Sequence, residues 1–393
     1  MSDHRRAPLA HQGGRVLRRG DEGLSRALEA ALLASEDERD LLTHGFHAYP
    51  ARLHPGIASV ALDEFARPGD LVLDPFCGSG TVLVEAMVRG LESTGVDLNP
   101  LALRIAEVKT DVRDAASREL FRRTLLDVGV RSEARVRGRA YARAPLSREE
   151  ATWWAPHVLK ELAGLRQEIL AVGDERDRRA LLVVFSAILV KVSLQRADTT
   201  ERATDKRIRK GLSTEMFVRK GEELVERWEE LETATKHGAP APELTWADAS
   251  RLPPLQGDRF DLVLSSPPYG GTYDYVDHHA RRYAWLDLDA EPLRRGELGA
   301  RRHLRDERDT RRWDAEVDAF LRSLRGVVRT DALALLVVGD GQIGSRRIDA
   351  ADQLAALGPD AGWTPLAAAS QDRPDWTGRG ARREHLVALG ARR

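Results

Sequence analysis

The chain has 393 residues, 42% hydrophobic and 31% charged, the balance of a folded water-soluble protein with room for two or three units on a prior of about 150 residues each. No run approaches the ~20 apolar residues of a membrane-crossing helix, and the basic first stretch lacks the apolar centre of a secretory signal, so a cytoplasmic protein is expected. Sixty-one basic against sixty-two acidic residues leave a net charge of -1, and Cys77 stands alone, which excludes a uniformly basic nucleic-acid binder, an internal disulfide and a multi-cysteine zinc centre.

Residues 1 to about 20 show no periodicity and read as a disordered arm, with a helical pattern after it near 21–41. These form an N-terminal arm and helix, 1–43. From 44 the grammar becomes α/β. An apolar run at 70–74 ends in a glycine-rich turn, a helix follows at 82–89, and a second short strand at 93–97. Asn99 and Pro100 then supply an N-cap and a first-turn proline for another helix. Between 112 and 240 the chain is charged and helical in period, with helices expected near 117–128, 148–171, 176–195 and 213–235. This stretch reads as a helical insertion and a candidate target-recognition region. After Pro240 strands are expected at 244–247, 260–264, 332–338, 364–368 and 385–389, with helices near 314–328 and 348–357. Alternating strands and helices predict a mainly parallel sheet covered on both faces.

Two segments carry chemistry. In Leu71-Val-Leu-Asp-Pro-Phe-Cys-Gly-Ser-Gly-Thr81 a strand ends in Asp74 and turns through Gly78 and Gly80 into a helix, so backbone can approach a ligand closely. A dinucleotide fingerprint would need a glycine where Leu83 stands, which disfavours a nicotinamide or flavin site. Asp97, ending the next strand, is placed to accept hydrogen bonds from a ribose diol. In the second segment, Phe260 to Tyr269, Ser266-Pro267-Pro268-Tyr269 follows a buried strand directly. The prolines stiffen the strand's carboxyl end, where open α/β sheets bind ligands. A planar base could donate its amino hydrogens to Ser266 and the Pro267 carbonyl while Tyr269 stacks on it.

Together DPFCGSGT at 74–81, GVDLNP at 95–100 and SPPY at 266–269 resemble the amino-methylating class I DNA methyltransferases, over about 44–111 and 241–393. The resemblance implies a Rossmann-like, mostly parallel sheet with its last strand antiparallel, and S-adenosyl-L-methionine as cofactor. Carried over, it has Asp74, Phe76, Gly78, Ser79, Gly80 and Thr81 border the methionine part, Asp97 the ribose, and Leu98, Asp248 and Ala249 the adenine. HGFHAYPARLHP at 44–55, with His47 and Tyr49, would close one side of that pocket. Ser266, Pro267, Pro268 and Tyr269 would be catalytic. Serine at the head of the tetrad resembles the N4-cytosine subgroup, with N6-adenine as the alternative. C5 chemistry is disfavoured because it needs a cysteine nucleophile and Cys77 lies in the cofactor turn.

An RNA guanine or adenine methyltransferase and a non-catalytic cofactor-binding component of a defence system are the rival readings. DNA is the expected partner, RNA the alternative, with a cognate restriction or defence protein beside it. Tyr273 and Tyr275 beyond the tetrad, and Arg202, Lys206, Arg207, Arg209 and Lys210 in the insertion, are the candidates for nucleic-acid contact. His44, His47 and His54 lack a partner set with metal-ligand spacing, so no metal is expected.

Overall fold

The computed structural model describes residues 14–34, 41–196, 203–235, 238–255, 260–374 and 381–392. Ten strands are present among them: β1 (Leu17–Gly20), β2 (Leu71–Asp74), β3 (Glu92–Asp97), β4 (Glu243–Trp246), β5 (Phe260–Ser265), β6 (Val328–Gly339), β7 (Gly341–Ile343), β8 (Arg346–Ile348), β9 (Trp363–Pro374) and β10 (Ala381–Ala391). Helices α1 (Glu22–Leu32), α2 (Pro55–Phe65), α3 (Thr81–Val88) and α4 (Pro100–Lys109) accompany the first three strands. Next come α5 (Ala115–Arg137), α6 (Arg148–Ala151), α7 (Pro156–Leu170), α8 (Glu175–Leu189) and α9 (Leu212–Thr235), then the short α10 (Tyr275–His278), α11 (Ala280–Tyr283) and α12 (Glu291–Gly296). The last two are α13 (Thr310–Val327) and α14 (Ala350–Leu357).

Eight strands form one sheet in the order β1-β9-β10-β6-β5-β2-β3-β4. The five from β6 to β4 are mutually parallel, β10 inserts antiparallel between β6 and β9, and β1 closes the far edge antiparallel to β9. This is the class I methyltransferase-type sheet that the motifs implied, antiparallel last strand included. From β2 the chain builds outward through β3 and β4, and returns to β2's other side with β5. β2 is therefore the point where strand order reverses, and ligands of open α/β sheets lie beyond the carboxyl ends of such strands.

Alternation on the strands separates two cores. Val72 and Leu262 face Leu28, Leu62 and Val82, whereas Leu73 and Val263 face Phe320, Leu324 and Trp363 on the other side. The helices of the insertion add a third core: Phe121, Leu125, Leu162, Phe185 and Trp228 pack continuously with Leu101 and Ile105 of α4 and with Trp285 and Leu293 beyond β5. Trp228 Nε1 donates to the Val108 carbonyl at 2.9 Å, and the Arg113 guanidinium, paired with Asp177, lies 4.2 Å from the Trp228 ring. The insertion is thus fused to α4 and to the segment after the tetrad.

Two local expectations need correction, and one helix was missed. The arm read as disordered contains β1, whose Leu17 and Gly20 stand opposite Ser370 and Ala367; backbone pairing at a sheet edge leaves no periodic trace when the side chains are exposed, as all four are. Residues 1–13 lie outside the described residues. The helix expected to reach 41 ends at Leu32. α2 had no forecast, although Pro55 opens it and His54 Nδ1 caps it by accepting from Gly56 N at 3.1 Å. No helix among the described residues is long and apolar enough to cross a membrane.

Candidate active site

At the carboxyl ends of β2, β3 and β5 lies a cleft whose empty space, open mouth included, is about 820 Å³, at the place where open α/β sheets bind small molecules. Asp74, Phe76, Cys77, Gly78, Ser79 and Thr81 form one wall, Asp97, Leu98, Asp248 and Ala249 the next, and Ser266 and Pro268 a third. Tyr49, Arg52 and Leu53 close it from the segment before α2, and Tyr275, Leu293, Glu297 and Leu298 from the segment after the tetrad.

The turn after β2 is built for close approach. Gly78 has φ +49°, and a Cβ there would stand 3.2 Å from Tyr49 Cε1, so a side chain at this position would be strained and would press on the ring opposite. The Gly78 N–H donates to Asp97 Oδ2 at 2.9 Å and the Asn99 N–H to Asp97 Oδ1 at 2.8 Å. Asp97 thereby ties the β2 turn to the β3 end while facing the cleft. Asp74 accepts from the Ser265 hydroxyl at 2.6 Å and the Phe76 N–H at 3.2 Å.

Burial pushes the Asp74 carboxyl up to about 7 and the Asp97 carboxyl up to about 6, against the hydrogen bonds that favour their ionised forms. Glu297 is likewise raised by burial, with Arg302 2.6 Å away opposing the shift. The cleft thus has four acidic side chains, Asp74, Asp97, Asp248 and Glu297, against one basic residue on its lining, Arg52; burial holds Asp74 and Asp97 part-way to neutrality. The Thr81 hydroxyl oxygen is buried without a hydrogen-bond partner.

These features fit S-adenosylmethionine, the group that the fold family implies. The donor is cationic at its sulfonium and ammonium centres, which suits the carboxylates. Its adenine is flat and apolar-faced, which suits Leu98, Ala249, Leu293 and Leu298. The buried, unpaired Thr81 hydroxyl on the cleft lining is a feature that a bound polar chain would use.

Ser266 and Pro268 border this cleft, while Pro267, Pro268 and Tyr269 border an adjoining apolar cavity of about 420 Å³ walled by Trp313, Phe320 and Leu298. Pro268 and Leu298 are common to both. The tetrad therefore stands at the partition between a cofactor-sized cleft and a second, largely apolar space.

Some expected residues lie elsewhere. His47 is fully buried behind the cleft, with Nε2 3.0 Å from Ser186 Oγ and Nδ1 2.8 Å from the Ala48 carbonyl. Gly80 caps α3 in a left-handed conformation, off the wall. Tyr275 reaches the cleft; Tyr273, 5.7 Å from it ring to ring, does not. His279, just beyond α10, is buried and stacked 5.0 Å from Tyr49. In the basic stretch, Arg202 falls outside the described residues, Lys206 donates to the Lys191 carbonyl, Arg209 pairs with Glu215, and Arg207 and Lys210 are exposed. Of the described four, none lines the cleft.

Arg52 falls in the 44–55 segment expected to close the pocket, though it was not singled out; Leu293, Glu297 and Leu298 had no forecast. They sit in aperiodic stretches, and only Gly296 and Gly299 flanking Glu297 hint at a tight approach. Among the described residues, one grouping with metal-ligand composition, Asp340, Asp349 and His385, lies apart from the cleft. Arg347 pairs with Asp340 at 2.7 Å, and His385 bridges Asp340 and Ser370 at 2.9 and 2.8 Å, so these groups satisfy one another and tie β6, β9 and β10 together.

Residues 29–108 match the family described as DNA methylase, the N6 and N4 class. Type II methyltransferase M.MjaII of Methanocaldococcus jannaschii is 38% identical over 96 residues, 24% of this chain and 18% of that protein. Type II methyltransferase M.BsoBI of Geobacillus stearothermophilus is 22% identical over 290 residues, 67% of this chain and 56% of that protein. The chain therefore spans from under a fifth to just over half of these relatives. The rRNA methyltransferase aviRa of Streptomyces viridochromogenes superposes with a TM-score of 0.36 at 15% identity, over 92% of this chain and 96% of that one, too loosely to carry an argument. The family match and the type II relatives bear out the resemblance to amino-methyltransferases drawn from the motifs.

Proposed function

We propose, from the premise that residues 29–108 carry a DNA methylase segment, that this chain transfers a methyl group from S-adenosylmethionine to an exocyclic amino nitrogen of DNA, with N4 of cytosine as the target. The observation that carries the reading is that Ser266 and Pro268 border the same cleft as Asp74, Gly78 and Asp97. An amine acceptor and a donor held there would be neighbours.

When bound, the donor supplies an electrophilic methyl group. Asp97 would hold the ribose, Asp248, Leu98 and Ala249 the adenine, and Asp74, Phe76, Ser79 and Thr81 the methionine part. A conjugated amine is a poor nucleophile because its lone pair is shared with the ring. Accepting its hydrogens on the Ser266 hydroxyl and the Pro267 carbonyl favours a pyramidal nitrogen whose lone pair is free. Fixing the two reactants in contact removes much of the entropic barrier. A duplex target would have to leave the stack, at a cost of about a few kcal/mol. Tyr269, on the cavity side of the partition, would receive the base. The exposed Arg207 and Lys210 remain candidates for backbone phosphates. Serine at the head of the tetrad supports cytosine over adenine.

The test is methyl transfer from labelled S-adenosylmethionine to genomic DNA, followed by nucleoside mass spectrometry. N4-methylcytosine that vanishes in Ser266→Ala and Tyr269→Ala is the expected result. N6-methyladenine would keep the chemistry and overturn the base, and unlabelled DNA beside labelled RNA would overturn the substrate.

A further inference from the structure

We infer that Glu384, on a strand more than a hundred residues beyond the tetrad, is a positioning residue that pins the ring of Tyr269 through its phenol; the inference rests on the reading of Tyr269 as the residue that receives the target base. The pin is visible in the strand register. Glu384 of β10 stands directly opposite Gly339, the last residue of β6. The Tyr269 ring lies against Gly339 so closely that a Cβ there would be 2.5 Å from Cε2 and 2.6 Å from Cδ2. The phenol, carried past Gly339, donates to Glu384 Oε1 at 3.1 Å.

Glu384 is itself held. Its Oε2 lies 2.7 Å from Arg373 Nη1 of β9 without hydrogen-bond alignment, and Arg373 Nε donates to Gln371, which is opposite Glu384 in the β9 register. Arg382, two residues earlier and so on the same face of β10, brings its guanidinium to 5.5 Å from the Tyr269 ring centre and is fixed by the Asp340 carbonyl at 2.6 Å and the Thr272 hydroxyl at 2.5 Å. A tyrosine at the end of a loop would otherwise rotate about two side-chain bonds. Here a missing side chain at 339, an acceptor at 384 and a guanidinium at 382 leave it one pose, which sets the plane against which a flat base can stack.

The test compares Glu384→Ala, Glu384→Gln and Tyr269→Phe. Glutamine keeps an acceptor oxygen; alanine removes it; phenylalanine keeps the ring and removes the phenol. Methyl transfer to genomic DNA is expected to fall about tenfold in kcat, the scale of one lost hydrogen bond, in both Glu384→Ala and Tyr269→Phe. It should fall no further when the two are combined, while Glu384→Gln stays within about twofold of the parent and cofactor affinity by calorimetry is unchanged in all. Independently of activity, the carbon-13 resonance of the Tyr269 phenol carbon, assigned by its absence in Tyr269→Phe, should shift in Glu384→Ala and hold in Glu384→Gln. An unshifted resonance with the parent rate in Glu384→Ala would overturn the pin, as would a glutamine variant as slow as alanine. If the parent protein methylates no DNA, the functional reading fails, while the resonance still decides whether the pin exists.

Discussion

Asp74, buried, and Asp97, half-buried, are acids facing a cleft that the proposed ligand would fill with positive charge. Burial raises both, to about 7 and about 6, above the ~3.9 of an unfolded aspartate. The sign of the linkage follows. Stability contributed by a raised carboxyl is fully present below its unfolded pKa and is lost as pH rises through the folded one. The ligand-free protein is therefore expected to lose melting temperature progressively between about pH 4 and 7, and a cationic ligand, favouring the ionised acids, to restore it. Cofactor affinity should correspondingly rise with pH through the same window with release of protons. Calorimetry in buffers of differing ionisation enthalpy reads that release, and Asp74→Asn should abolish part of it. An affinity that is flat across the window would mean the two acids do not face the cation. Asp97→Ala should also leave the Gly78 and Asn99 amides unpaired, at about 1–3 kcal/mol for each buried group, and is expected to weaken cofactor binding at least tenfold.

Between elements, the segment from Tyr273 to Arg302 acts as one wall of the cleft because an ion-pair clasp folds it back on itself. Arg302 contacts Glu297 at 2.6 Å and Asp274 at 3.2 Å, the Tyr275 N–H donates to Glu297, and the Arg301 N–H donates to the Tyr273 carbonyl at 3.1 Å. Removing one partner of a buried pair costs about 3–5 kcal/mol. Arg302→Ala should therefore speed amide hydrogen exchange in this wall and weaken cofactor binding, with exchange in β2 and β3 unaffected. This wall is also where the sequence was least legible. The motifs at 74–81 and 95–100 announce themselves because their function is local: a strand end, a turn and a helix start contiguous in sequence. Asn99 and Pro100 foretold α4 for the same reason. Glu297 and Glu384 do not, since one lines the cleft only through a clasp closed in three dimensions and the other matters only because sheet register sets it opposite Gly339. β1 escaped notice because edge pairing uses backbone alone.

At the scale of the molecule, the insertion and the cleft are one packed body. Trp285, fully buried after the tetrad, meets Trp154 and Phe185 of the insertion edge-to-face at 5.8 and 5.6 Å. Truncating a buried tryptophan costs about 3–5 kcal/mol. Trp285→Ala is expected to lower the unfolding free energy by that amount, read from denaturant titration, and to weaken cofactor binding with it, whereas an insertion that packed independently would unfold alone and leave cofactor affinity intact. Helices near 117–128 and 213–235 were foreseeable from their period, the first running on to Arg137 in the structure; that they share a core with residues beside the cleft was not, because periodicity tells which face is buried and never against what.

The acidic wall also bears on turnover. Four carboxyls surround a space whose occupant would lose one positive charge at the instant it gives up its methyl group. The spent thioether is neutral where the donor was cationic, so the same wall that attracts the fresh molecule has less hold on the used one. Traffic through the cleft would then be biased in one direction, with the donor retained in preference to the by-product, and a ratio of their dissociation constants that narrows as pH falls and the wall discharges.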